Sequence, residues 1–169
     1  TKTWIDGINN CKKNKSTLHL IGLLSDGNVH NHIDYQVTIL KQLSTEGVTS
    51  IRLHCLLDGR DVGSRSALTY IKLLNELIAE LQIQNIDVKI ASGGGRMITT
   101  MDRYNADWSI VERGYNAHVH GIGNYFNSSE KAIQDAYQDP SITDQYIEPF
   151  VITNGEGPVG KIQDGDSVF

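Results

Sequence analysis

Cysteine is scarce: Cys11 and Cys55 are the two in the chain, and they form neither a metal-ligand spacing nor a disulfide framework. A reducing cytoplasm is therefore the expected compartment. No apolar run approaches the roughly 20 residues needed to span a bilayer, and no charged-then-apolar signal segment opens the chain. Positive charge is not in excess either. Fifteen Lys and Arg stand against 20 Asp and Glu, a formal charge of −5, which argues against a general nucleic-acid binder. It leaves small anionic ligands open, because these respond to local arginine clusters. Internal repeats and low-complexity linkers are missing. Asn14-Lys15-Ser16 and Asn127-Ser128-Ser129 match the glycosylation pattern, but such short matches arise by chance and no signal segment accompanies them.

What is there reads as one ordinary globular α/β unit. The 169 residues are 39% hydrophobic and 21% charged, enough to bury a core. Thr1 is not a natural start, and Asp166-Ser167-Val168-Phe169 reads as a strand beginning where the chain stops. A piece of a longer protein is expected, with residues 1–16 as an N-terminal helical boundary segment and 17–169 as the α/β domain. Leu18 to Leu24 is a short apolar run closed by Ser25-Asp26-Gly27, a buried strand. Val29, Ile33, Val37, Leu40 and Leu43 then recur at helical steps, with Gly47 as a stop. Ile51 to Leu57 is a second strand ended by Asp58-Gly59. Leu68, Ile71, Leu74, Ile78 and Leu81 mark a second helix that Ser64 or Ser66 can cap. Val88 to Ala91 makes a third strand, broken by Gly93-Gly94-Gly95. Trp108, Val111, Tyr115 and Val119 mark a third helix ending near Gly121. A short helix from Ser129 to Tyr137 and a strand at Phe150-Val151-Ile152 follow. The alternation predicts a three-layer α/β/α fold with a mainly parallel sheet.

In open α/β sheets, ligands bind outside the carboxyl ends of the strands. Ser25 to His30 follows the first strand, Asp58-Gly59-Arg60-Asp61 the second, and Ser92 to Arg96 the third, with Met101-Asp102-Arg103 shortly behind. Each turn pairs glycine with ionisable groups, and the sheet brings all three to one edge. Arginine offers a planar fork of donors that fits carboxylate or phosphate oxygens. Arg60, Arg96 and Arg103 thus point to an anion with more than one charged end. Arg96 and Arg103 are seven residues apart, about 10 Å along a helix, a fit to the two ends of a small phosphorylated acid. Asp61 suits an acid/base role, and His30 can donate to an anion oxygen or shuttle protons.

Plainer readings compete at each position. An Asp-Gly pair after a strand is usually only a turn. Gly93-Gly94-Gly95 lacks the Gly-Lys-Ser/Thr of a nucleotide P-loop, so ATP binding is disfavoured. His30 with His32, and His118 with His120, have the two-residue spacing of strand-borne metal pairs. The first pair lies at a helix start and the second on a helix, so no metal is expected at either. Arg113 and Glu112 are expected on a solvated helix face.

Leu23-Leu24-Ser25-Asp26-Gly27-Asn28-Val29-His30-Asn31-His32 resembles the Leu-Leu-Ser-Asp-Gly-Gly-Val-His-Ser-His motif of the 2,3-bisphosphoglycerate-independent phosphoglycerate mutases. Leu57-Asp58-Gly59-Arg60-Asp61-Val62, followed by Ser66-Ala67, resembles a second motif of that family. Ser92 to Arg96 with Met101-Asp102-Arg103-Tyr104 and Asp107-Trp108 resembles a third, and Asp144-Gln145-Tyr146 and Ile162 to Asp166 fit later blocks. The likeness runs from about Leu18 to the end. Asn28 stands for a usual glycine and Asn31 for a usual serine. Asparagine tolerates left-handed backbone, so the turn is expected to survive.

The resemblance implies an isomerase that interconverts 3-phosphoglycerate and 2-phosphoglycerate in glycolysis and gluconeogenesis through a phosphoserine intermediate. It implies two divalent metal ions, typically manganese, on a phosphatase-like domain outside this chain, and no requirement for 2,3-bisphosphoglycerate. It maps His30, Arg60, Asp61, Arg96 and Arg103 onto substrate contacts and Asp61 onto the acid/base for the substrate hydroxyls. The nucleophilic serine is expected elsewhere, so this chain alone should be inactive. A monomer is expected. The alternative is a non-catalytic binding module for a phosphorylated small acid.

Overall fold

The computed structural model describes residues 1–101 and 107–169. Helix α1 (Lys2–Asn14) opens the chain, and its buried Ile8 and Cys11 join the common core. Strand β1 (Leu18–Leu24), helix α2 (Ile33–Thr45), strand β2 (Ser50–Leu57), helix α3 (Ala67–Ile83) and strand β3 (Asp87–Gly95) follow in strict alternation. Helix α4 (Trp108–Tyr115) runs into a π-helical turn (Asn116–His120), and β4 (Asn124–Phe126), α5 (Ser129–Ala136), β5 (Phe150–Ile152) and β6 (Ser167–Val168) complete the chain. The six strands form one sheet in the order β4-β5-β3-β2-β1-β6. Pairing is parallel except where β5 runs antiparallel to β3. This is the mainly parallel α/β arrangement that the alternation predicts.

Strand alternation sorts the sheet into two unlike faces. Leu18, Leu20 and Leu24 on β1, Ile51, Leu53 and Leu57 on β2, and Val88 and Ile90 on β3 share one core with Leu40 and Leu43 of α2 and Ile71, Leu74 and Ile78 of α3. The alternate residues His19, Arg52 and His54 are buried too, beside Leu23 and Leu56, so the opposite side of the sheet carries polar groups beneath its cover. Arg52 is satisfied there by Asp87 and by the carbonyl of Val159. No helix among the described residues is long and apolar enough to cross a membrane.

Four local expectations change. Val29 is 63% exposed and lies ahead of α2, which starts at Ile33 after the N-cap His32, whose Nδ1 accepts from the backbone NH of Asp34. Ser66 occupies the N-cap of α3, but its hydroxyl donates to the Gly63 carbonyl instead. The cap comes from far along the chain, where Asp144 Oδ2 accepts from the backbone NH groups of Ser66 and Ala67 at 2.8 and 2.9 Å. Arg113 is half-buried rather than solvated, because the 97–101 turn folds onto α4 and offers the Ile98 carbonyl to its Nε at 2.7 Å.

The glycine run is the fourth. Gly93, Gly94 and Gly95 continue β3 instead of breaking it, since the neighbouring segments press against its backbone. A Cβ on Gly93 would lie 2.5 Å from the Phe150 ring, and one on Gly95 would lie 2.2 Å from the Gln145 carbonyl oxygen. The second obstacle is backbone and has no rotamer to yield. Gly95→Ala is accordingly expected to destabilise the protein by about 1–3 kcal/mol, read as a lowered urea midpoint. An unchanged midpoint would show that the 144–146 segment moves aside at no cost.

Candidate functional site

The site is assembled at the carboxyl ends of β1, β2 and β3, around a carboxylate that composition alone would not single out. Asp58 is 2% exposed and ends β2. Its Oδ2 accepts from Ser25 Oγ, at the end of β1, at 2.6 Å. Its Oδ1 accepts from the backbone NH groups of Arg60 and Asp61 at 3.2 and 3.1 Å, and from Arg96 Nη1, after β3, at 2.7 Å. One buried side chain thus ties together all three turns. Burial alone would raise the Asp58 carboxyl, but the bonds from Ser25, Asp61 NH, Arg96 and Arg60 NH outweigh it and hold the pKa below the usual 3.8.

Arg96 is also 2% exposed, and its Nη1 donates a second bond to Asp61 Oδ2 at 2.7 Å. Burial works against its charge, yet bonds to Asp61 and Asp58 more than compensate and raise its pKa further. The structure therefore brings Asp61 and Arg96 into direct contact, with Asp61 half-buried at the rim. Arg60 and His30 lie on the same two turns and are exposed. Arg103 falls within residues 102–106, outside the described residues.

Close approach of backbone shapes the rest of the edge. Gly59 takes φ +60, and a Cβ there would lie 2.7 Å from the Asp144 side chain. Gln145 closes the gap by donating from Nε2 to the Gly59 carbonyl and accepting from the Met97 NH. Asn28 adopts φ +55, so asparagine does hold the left-handed position at the β1 turn. Asp26 accepts from the Tyr70 hydroxyl of α3, fixing that turn from the side.

Chemically, the edge combines an exposed guanidinium, an exposed imidazole and a rim carboxylate on a rigid buried ion-pair frame. A cleft of about 710 Å³ lies elsewhere, lined by Ile78, Val88, Ile90 and Ile152 beside α5. Its lining is mainly aliphatic and amide, without the convergent charges that anion chemistry needs. Among the described residues there is no cluster of three or more His, Cys, Asp or Glu able to hold a metal ion. His118 is buried and bonded to Ser92 and Thr100, while His120 lies against the Tyr115 ring.

Sequence reasoning passed over Asp58 and Ser25 as functional groups and saw Asp144 only as part of a motif. A signal for the first was present, because Asp58 is the last ionisable residue before the turn on the central strand. Nothing local marks Asp144 as the partner of a helix more than seventy residues away in sequence.

An open α/β domain carrying an anion-suited cluster at its strand ends is the class that fold and site define. Comparison with known proteins gives the family. The chain matches the model of the BPG-independent PGAM N-terminus over residues 1–169 and belongs to that family. It is 54% identical over 168 residues to a probable 2,3-bisphosphoglycerate-independent phosphoglycerate mutase of Leptospira interrogans, covering 99% of this chain and 31% of that protein. It is 50% identical over 155 residues to the 2,3-bisphosphoglycerate-independent phosphoglycerate mutase of Trypanosoma brucei brucei, covering 90% of this chain and 28% of that protein. A crystal structure of Leishmania mexicana phosphoglycerate mutase at low cobalt concentration superposes with a TM-score of 0.96 at 44% identity, over 99% of this chain and 31% of that one. The chain thus spans about a third of the length of the relatives it matches.

Proposed function

We propose that this chain is the substrate-gripping domain of a mutase that interconverts 3-phosphoglycerate and 2-phosphoglycerate without 2,3-bisphosphoglycerate. The observation that carries the reading is the Asp58–Arg96–Asp61 frame, which presents Asp61, Arg60 and His30 together at the strand ends of a chain from this family. Arg60 supplies a planar donor pair for a carboxylate or phosphate. His30 supplies a second donor. Asp61, steadied by Arg96, faces ligand hydroxyls as an acceptor and is the proposed acid/base group. Arg103 is proposed as a further anion contact.

The metal ions of the whole enzyme do not fit the described residues of this chain, whose strand-end carboxylates are already bonded to Arg96, Ser25 and backbone NH groups. We place the metals, typically manganese, and the phosphoserine nucleophile on a partner phosphatase-like domain of the longer chain. The 169-residue chain, residues 17–169 forming the binding unit, is then a monomer that binds but does not turn over.

The test is a titration of the chain with 3-phosphoglycerate followed by chemical-shift mapping. Ion-pair hydrogen bonds of roughly 1.5–3 kcal/mol each, set against the cost of immobilising the ligand, lead to a dissociation constant on the order of millimolar. Binding should weaken with added salt at this open edge. Arg60→Ala should weaken it about tenfold, and Arg60→Lys should restore only part, because a point charge lacks the fork. Shifts centred on Lys12 to Lys15, or on the segment after Gly121, would overturn the assignment.

A further inference from the structure

Behind the sheet lies a chain of hydrogen-bonded side chains, buried at His19, His54, Ser92 and His118, that the site does not use. His19 Nε2 is 3.1 Å from Asp166 Oδ2, and His19 Nδ1 is 2.9 Å from His54 Nε2. His54 Nδ1 is 2.6 Å from Ser92 Oγ, which is 2.7 Å from His118 Nδ1. His118 Nε2 is 2.9 Å from Thr100 Oγ1. The path runs from the β6 side of the sheet, across β1, β2 and β3, to Thr100 in the turn that follows Arg96.

With all three rings neutral, donor and acceptor counting leaves one arrangement. Asp166 as a carboxylate only accepts, and its oxygens already take the backbone NH groups of Thr17 and Gln163. His19 must then donate from Nε2, which leaves Nδ1 of its neutral ring to accept from His54 Nε2–H. His54 Nδ1 accepts from the Ser92 hydroxyl, whose oxygen accepts from His118 Nδ1–H. His118 Nε2 is left to accept the Thr100 hydroxyl. Each donor points toward Asp166, and any flipped ring sets two donors or two acceptors face to face. Burial shifts all three rings downward, the direction that favours the neutral forms of this scheme, although Asp166 opposes it at His19. In this scheme the His19–Asp166 contact is a hydrogen bond from a neutral ring to a carboxylate.

The donating end is a strained residue. Thr100 has φ +71, a left-handed conformation that β-branched residues rarely take. Its NH is bonded to the Ile110 carbonyl, and Gly114 lies so close that a Cβ there would be 2.0 Å from Thr100 Oγ1. Arg113 Nε holds the adjacent Ile98 carbonyl. The π-helical turn Asn116–His120 brings His118 inward onto this point, and such turns recur at functional sites.

We infer that Asp166, His19, His54, Ser92 and His118 form a one-directional hydrogen-bond relay whose end, His118, is a positioning residue that clamps Thr100 and so sets the turn following Arg96. The link to ligand binding rests on the phosphoglycerate reading; the relay and the clamp do not.

Long-range nitrogen–proton spectra of the chain at pH 7.5 test the relay. The expected result is His19 and His54 protonated at Nε2 and His118 at Nδ1; His118 protonated at Nε2, or doubly protonated, overturns it. Amide exchange tests the clamp. Thr100→Val keeps the size but loses the donor, and should speed exchange at residue 100 about tenfold and move the His118 Nε2 signal. Thr100→Ser should behave as the parent, and Thr100→Gly should tolerate the left-handed geometry without the bond. Thr100→Val with parental exchange and an unmoved His118 signal overturns the positioning role. Should the parent chain fail to bind 3-phosphoglycerate, the functional reading falls while both of these readouts still decide the relay and the clamp. With binding present, Thr100→Val should weaken it several-fold and Thr100→Ser should not.

Discussion

Arg96→Ala is expected to destabilise the protein by about 3–5 kcal/mol at neutral pH, the usual result of removing one partner from a buried ion pair. Two carboxylates depend on that guanidinium, Asp58 at 2% exposure and the half-buried Asp61. Truncation leaves Asp58 charged in a buried place, with Ser25 and two backbone NH groups as its remaining donors. The pH dependence separates this cause from lost packing. In the parent protein Asp58 has a pKa below 3.8, so its stabilising contribution is present above that value and is lost as pH falls through the folded-state pKa. In the variant the stranded carboxylates favour protonation, so acid relieves them. The gap between parent and variant should therefore narrow as pH drops below about 4. Urea midpoints at pH 7 and pH 3.5 provide the measurement. A gap of constant size would mean that the loss is packing and not charge. Arg96→Lys should recover part of the stability at pH 7, since one ammonium cannot reproduce the planar donor array.

The second large effect is acid destabilisation by the buried imidazoles. Desolvation, with a smaller contribution from His19, holds His118 at about 4 instead of 6.5. Burial also lowers His54, helped by His118, His19 and Arg52. Burial lowers His19 in the same direction, although Asp166 opposes it. Unfolded histidine takes up a proton near 6.5, while the folded protein refuses one until about pH 4 for His118. Between those values the unfolded state binds more protons, so stability is fully present above pH 6.5 and falls as pH falls. His118 alone accounts for about 3 kcal/mol across the window, and the other two rings add with the same sign. Asp144 works the other way, because burial raises its carboxyl despite bonds from Tyr137, Ser66 NH and Ala67 NH. Denaturant curves at pH 7.5, 6 and 4.5 should show a steep decline, and His118→Gln should start less stable but decline less. A flat parent profile from pH 7.5 to 5 would mean that the rings are hydrated in solution.

Much of the fold was legible because it depends on neighbours in sequence. Apolar runs ended by Asp-Gly located β1 and β2 within a residue, and helical spacing located α2 and α3. Gathering glycine and charge after three strands pointed to one edge, and Arg96 and Asp61 do meet there. The family motifs were legible for the same reason, being contiguous strings.

Other features depend on which distant segments the strand order places together. Gly93-Gly94-Gly95 looks like a break by local propensity, yet it continues the strand because Phe150 and Gln145 occupy the space of any side chain. Asp144 caps a helix 78 residues earlier in the chain. Arg113 looks like a surface residue by periodicity, and is drawn inward by a carbonyl on a turn that folds onto it.

The histidines show the division most clearly. By itself the sequence determined that His19 and His54 each lie within an apolar run that reads as a strand, on the face opposite Leu20 and Leu53, because alternation has a period of two. Only the tertiary structure decided that they join one chain with Ser92, His118 and Asp166, whose contacts span 26 to 147 residues of sequence. A buried imidazole needs a partner for each nitrogen, and which groups come within 3 Å is settled by strand order and by how the segments after the strands fold back over the sheet.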